Sequence, residues 1–188
     1  MITFRKIRWK NLLSTGNVFT EIALDKNKST LIIGNNGSGK STILDALTFG
    51  LFGRPFRGIN KPQLVNSINQ GGTLVEIEFD IGKNNYTLKR GIKRTFFEIW
   101  QNGTLLNQDA SVRDYQELLE KTILKLNYKS FTQIVVLGSS TFIPFMQLRA
   151  SDRRAIIEDL LDIEIFSLMN QVLRTRVWEN KENVIAID

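Results

Sequence analysis

The run Gly34-Asn35-Asn36-Gly37-Ser38-Gly39-Lys40-Ser41-Thr42 constrains this chain more than any other feature in it. It fits the pattern G-x-x-x-x-G-K-[ST], in which glycines fold the backbone tightly and turn successive N–H groups inward onto an anion. Such a loop belongs between a strand and a helix, and its flanks agree. Thr30-Leu31-Ile32-Ile33 predicts a short buried strand, and Ile43 to Phe52 predicts a largely buried helix. A helix starting near Gly39 adds unpaired N–H groups and the positive end of its dipole. In this chemistry Asn35, Asn36, Gly37, Ser38 and Gly39 wrap the phosphates of a nucleoside triphosphate. Lys40 reaches the β- and γ-phosphates, the Ser41 hydroxyl ligates Mg2+, and Thr42 donates to the α-phosphate.

Composition narrows the class. A chain of 188 residues supports a real core. With no cysteine and no histidine it has no disulfide framework, no thiolate or imidazole metal site and no histidine base. Arg5, Lys6, Arg8 and Lys10 interrupt the N-terminal segment, so no signal peptide is expected there, and no apolar stretch is long enough to span a membrane. A cytoplasmic location is expected, without a membrane partner. The net charge of +6 leans towards nucleic acid, although solubility alone accounts for it equally well.

The first half of the chain is strand-rich. Ile2 to Trp9 and Val18 to Leu24 predict a pair joined by a turn at Ser14 to Asn17. Gly50, Gly53 and Pro55 stop the helix after the phosphate loop. Thr73 to Ile81 alternates, with Val75, Ile77, Phe79 and Ile81 on one face and Glu76, Glu78 and Asp80 on the other, as in an antiparallel strand with one wet face. Tyr86 to Arg90 and Phe96 to Trp100 follow, and Asn102-Gly103 signals a hairpin. Thereafter the pattern turns helical: from Ser111 through Leu126, from Ser151 through Leu161, and from Phe166 to about Ile187, with a short apolar strand predicted at Ile134 to Leu137.

Hydrolysis also needs a buried strand ending in an acid and a carboxylate to polarise water. No such strand is present. Glu76 and Glu78 alternate on a half-exposed strand, and Glu158, Asp159, Asp162 and Glu164 sit on helical periodicity as a solvated face. Leu137-Gly138-Ser139-Ser140 only superficially resembles the serine-glycine-glycine signature with which ABC-type ATPases grip a partner's γ-phosphate. No catalytic residue is therefore assigned within this chain.

The ordered set of segments resembles the N-terminal half of the SbcC/Rad-fifty type ABC ATPases of double-strand-break repair, and most of all their tailed-phage versions. The resemblance rests on Lys10-Asn11-Leu12-Leu13-Ser14, on Gly34 to Thr42 with Leu44-Asp45-Ala46, and on Phe52 to Arg57. It continues through Ser130-Phe131, Phe142 to Met146, Arg153-Arg154 and Ile157 to Leu161. It implies an α/β fold: the N-terminal lobe of an ABC-type P-loop ATPase head, with a mixed sheet around the phosphate-loop helix and the start of a coiled-coil helix at the C-terminus. The lobe would occupy residues 1–165 and the coil 166–188. It further implies ATP and Mg2+ as ligands, with Ser14 joining the nucleotide site. The implied partners are the C-terminal lobe of the same ATPase, a second head as a homodimer, a nuclease subunit and DNA bound without sequence preference. Heads that close on ATP would gate the nuclease at a DNA end. Such a protein encoded by a phage would work in the bacterial host cytoplasm.

Two positions depart from the family pattern. Leu13 stands where many members carry an arginine. The metal-linked glutamine of the family falls at Ser139, with Gln133 six residues earlier as the other candidate. Two other readings compete. One is a stand-alone nucleotide- or DNA-binding module without turnover, with Arg54, Arg57, Lys61, Lys89, Arg90, Lys93 and Arg94 as basic patches for phosphate or as ordinary solvated charge. The other is a P-loop kinase or GTPase, against which the strand-rich insert after the phosphate-loop helix argues.

Overall fold

A computed structural model describes residues 1–92, 96–106, 112–136, 143–161 and 163–185, without the side chains of 164 and 183–185. Two compact units divide the chain, Met1–Leu124 and Lys125–Asp188.

The first unit is built on a six-stranded sheet ordered β2-β1-β3-β4-β5-β6, antiparallel throughout the described residues. The strands are β1 (Ile2–Lys10), β2 (Thr20–Ala23), β3 (Leu74–Ile81), β4 (Asn84–Gly91), β5 (Phe96–Gln101) and β6 (Thr104–Leu105). Asn102-Gly103 lies between β5 and β6, as the hairpin signal predicts. The alternation in β3 becomes two kinds of row across the sheet. One row is apolar, with Ile7, Ile77, Leu88 and Ile99 in register and all essentially buried. The next alternates in sign, running Glu21, Arg8, Glu76, Lys89, Glu98 from β2 to β5. Arg8 donates to Glu76 at 2.8 Å within that row, and Lys6 bridges to Glu78 at 3.1 Å two rows away, beyond the apolar row. Neighbouring opposite charges of this kind support pairing across strands.

Helix α1 (Thr42–Phe52) packs on β3 and its neighbours. Its buried side includes Ala46, Phe49, Leu51 and Phe52. Gly50 lets it approach closely, since a Cβ there would lie 2.4 Å from Ile77 Cδ1 and 3.1 Å from Val75 Cγ1. Gly53 ends the helix at φ 66°, its N–H returning to the Phe49 carbonyl at 2.8 Å. Helix α2 (Val112–Glu117) continues into a π turn at Leu118–Leu124. Its buried positions Tyr115, Leu119 and Leu124 are four and five residues apart, a spacing wider than an α-helix provides and closer to that of a π-helix.

The second unit contains α3 (Tyr128–Ile134), α4 (Ala150–Leu160) and α5 (Glu164–Ile185). Asn127 caps α3, accepting from the Ser130 N–H at 2.9 Å. Lys129 on α3 pairs with Asp152 on α4 at 2.5 Å. Arg153 donates to the Met146 and Leu148 carbonyls, fastening the short turn Phe145–Gln147 onto α4.

Three sequence expectations are corrected here. Thr30 to Ile33 forms no strand: the segment is unpaired among the described residues, and Leu31 and Ile33 are each 83% exposed. Four apolar residues predict burial but cannot name the neighbour that provides it. Ile134 to Val136 is not a strand either. It closes the helix that the Asn127 cap begins, a local bond outweighing β-branched propensity; Leu137 lies outside the described residues. The residue preceding α4 is Arg149, not Ser151, and no side-chain cap bond is present there. Ser111, expected to open α2, also lies outside the described residues.

Candidate nucleotide site

The phosphate loop curls at the N-terminus of α1. Gly37 and Gly39 take φ 84° and 91°, a left-handed conformation that side chains resist, and so present the loop backbone as a concave cradle. At Gly34 a Cβ would meet Ser38 Oγ at 2.6 Å, so glycine keeps the mouth of the loop closed up. Lys40 Nζ donates to the Gly34 and Asn35 carbonyls at 2.7 and 2.8 Å, which places its ammonium across the loop. Ser38 N–H donates to the Asn35 carbonyl at 3.2 Å. Ser41 stands at the N-cap position, yet its hydroxyl makes no capping bond. That oxygen is left for a hard cation, which favours oxygen donors.

A cleft of about 520 Å³ opens against this loop. Asn36, Gly37, Gly39, Lys40, Ser41 and Thr42 line one side of it, and Ser14 lines it from the opening element of the chain. Asn35 and Ser38 shape the loop from behind through the bonds above. Ser14 is positioned by a knot of amide bonds. Asn66, nearly buried, donates to the Leu13 and Thr15 carbonyls at 2.9 and 3.0 Å and accepts from the Ile68 and Asn69 N–H groups. All its hydrogen-bonding capacity is used, which makes it a rigid clamp between residues 13–15 and 66–69.

The structure adds residues that sequence reasoning missed. Gln63, Val65 and Ser67 also line the cleft. So does Arg57, whose backbone N–H and Nε donate to the buried Asp45 carboxylate at 3.0 and 2.7 Å, with Nη2 at 2.6 Å. The signal was Asp45 itself: a carboxylate inside an apolar helical run must find a charged partner.

The other predicted residues scatter. Gln133 belongs to α3 in the second unit, where its side-chain carbonyl is buried and without a hydrogen-bond partner among the described residues. Ser139 lies outside the described residues, as do Lys93 and Arg94. Arg90 is no surface patch. Burial lowers its pKa to about 9 against the opposing pull of Glu120, and its guanidinium stacks 3.6 Å from the centre of the Phe97 ring. It donates to the Gly50 and Leu51 carbonyls at the end of α1 and to Gln116. Lys89 stands within the alternating row and over Trp100. Among the described residues no cluster of His, Cys, Asp and Glu suits a metal ion.

A phosphate loop, a positioned lysine, a free serine hydroxyl and an open cleft beside an antiparallel sheet define a P-loop ATPase head. Comparison with known proteins gives the family. A family model described as an AAA domain matches residues 6–183, and the chain belongs to that family. It is similar to exonuclease subunit 2 of Enterobacteria phage T4, with 46% identity over 167 residues, covering 89% of this chain and 30% of that protein. The same subunit of Escherichia phage RB69 is 44% identical over 174 residues, covering 93% and 31%. A DNA double-strand break repair Rad50 ATPase of Methanococcus maripaludis is 29% identical over 188 residues, covering 98% and 18%. The chain thus spans under a third of the length of these relatives. The resemblance to SbcC/Rad-fifty type ATPases stands. Among solved structures, the Smc head domain with an extended coiled coil from Pyrococcus furiosus shares the fold, with TM-score 0.60 and 20% identity over 100% of this chain and 49% of that one. An SMC ATPase structure described for ATP-driven dimerization matches with TM-score 0.54 and 24% identity, covering 84% and 99%.

Proposed function

We propose that this chain is the ATP-binding half of a DNA-repair ATPase head, with residues 1–165 as its N-terminal lobe and 166–188 as the start of a coiled coil. The observation that carries this is the convergence of the phosphate loop, Ser14 and Arg57 on one cleft. Gly37 to Gly39 and the N-terminus of α1 hold the phosphates, Lys40 leaves the loop carbonyls for the β- and γ-phosphates, and Ser41 holds Mg2+. The ion would screen the phosphate charge as ATP reacts.

The water-activating carboxylate comes from a C-terminal lobe. The exposed run Leu31-Ile32-Ile33 supports this, because it leads straight into the phosphate loop and offers apolar surface for strands of that lobe. Two heads close on ATP and open on hydrolysis, gating a nuclease subunit at a DNA end, and DNA is bound without sequence preference. The exposed apolar residues of α5, among them Leu168, Val172 and Trp178, support a returning coiled-coil helix. Among the described residues no helix is long and apolar enough to cross a membrane, and host cytoplasm is the proposed location.

The test is reconstitution. The chain alone should bind ATP with Mg2+ and barely hydrolyse it; co-expression with the C-terminal lobe from the same genome should give one complex by size-exclusion chromatography and restore turnover. Separate elution with no turnover would make the chain a self-sufficient nucleotide-binding module.

A further inference from the structure

The structure sorts the cations of the basic segments by what they already hold. Lys89 lies between Glu76 and Glu98 in register. Arg57 is joined to Asp45, and Arg90 to the carbonyl end of α1. Among the described cations of these segments Arg54 and Lys61 remain. Both are exposed, and among the described residues neither contacts a carboxylate.

These two flank the turn that ends α1. Arg54 follows Gly53 directly. Lys61 opens the short turn Lys61–Leu64, fixed by a reciprocal cap in which Asn60 N–H donates to Gln63 Oε1 at 2.8 Å. A Cβ at Gly53 would lie 2.9 Å from Arg90 Nη1 and 3.7 Å from Lys61 Nζ, so both cations crowd the same point. Burial, then Arg90, then Arg54 hold the Lys61 ammonium below the usual lysine range. The pole of α1 draws cations, but Arg90 has taken its last carbonyls. A cation placed for stability alone would have a carboxylate beside it; here like charges are gathered on a rigid turn, open to solvent.

We propose that Arg54 and Lys61 form a phosphate-binding site for the backbone of duplex DNA. This rests on the reading of the chain as part of a DNA-repair ATPase, and assigns the contact to the end of the phosphate-loop helix, away from the charge-compensated row of the sheet.

The experiment is a salt titration of a short labelled duplex by fluorescence anisotropy, using the 188-residue chain. The variants are Arg54→Gln with Lys61→Gln, the rescue Arg54→Lys with Lys61→Arg, and Lys89→Gln as control. Removing two phosphate contacts should weaken affinity about tenfold or more and reduce the slope of log affinity against log salt by about 1.8. The rescue should restore both, and Lys89→Gln should change neither. Lys61→Gln should also raise the melting temperature, since it relieves like-charge crowding; a purely structural lysine would lower it. Unchanged DNA binding in the double glutamine variant overturns this site and leaves the DNA reading standing, whereas failure of wild type to bind duplex overturns that reading too. A second ATP equivalent, seen by calorimetry and lost in the variant, would assign the pair to free nucleotide and overturn the proposal.

Discussion

Arg57 closes on Asp45 with its backbone N–H and its guanidinium together, at 3.0 and 2.6–2.7 Å, although the two residues belong to a loop and to the first turn of α1. The Asp45 side chain is completely buried and that of Arg57 is 47% exposed on the nucleotide cleft. The pair therefore carries a structural charge at one end and an available one at the other. Arg57→Ala would leave the Asp45 carboxylate buried with its charge uncompensated. Removing one member of a buried pair costs about 3 kcal/mol, an upper figure here because Arg57 is half in water. Denaturant melts should show that loss, and Asp45→Asn combined with Arg57→Ala should recover part of it.

Lys40→Ala should weaken ATP binding at least tenfold, since a charged partner of a desolvated phosphate is worth about 2–5 kcal/mol. Ser41→Ala should leave nucleotide binding in chelator largely intact and remove most of its enhancement by Mg2+. Calorimetry with and without the metal separates the two effects, and equal affinity in wild type and Lys40→Ala would refute the assignment.

Gly50→Ala should destabilise by about 1–3 kcal/mol, because the added methyl runs into Ile77 and Val75 across a packed interface. Gly50→Ala combined with Ile77→Val should regain part of that loss by removing the Cδ1 atom it strikes. Thermal melts of both variants measure the difference.

Hydrogen exchange offers a direct view of Leu31 to Ile33. In the chain alone these amides should exchange freely, being unpaired among the described residues and exposed. In complex with the proposed C-terminal lobe they should become strongly protected. Continued fast exchange in a stable complex would place the lobe elsewhere.

Alternation made β3 legible down to its inward residues, because one face of that strand is apolar core and the other carries charges paired across strands. The phosphate loop was legible for a different reason: its glycines and lysine answer to ligand chemistry whatever the packing around them. Thr30 to Ile33 was not, since hydrophobicity reports that a segment should be covered and says nothing of what covers it. Arg90 misled in the same way. Composition made it a surface cation, whereas its role depends on Gly50, Leu51 and Gln116, which are distant in sequence and meet it only in the fold. Arg57 was visible as a charge, but its pairing with Asp45 needed a turn whose path no periodicity describes.

Helix α1 is fastened along its whole length: Asp45 is tied to Arg57, Gly50 sits flush on β3, and Arg90 grips the final carbonyls. It can neither slide along its axis nor rotate without breaking several of these ties at once. The helix end that faces the phosphates is therefore set when the chain folds, and on binding only Lys40 and the exposed loop before it have to rearrange. The entropy of ordering that helix end is lost once per molecule rather than once per binding event, a saving that grows with every cycle the protein runs.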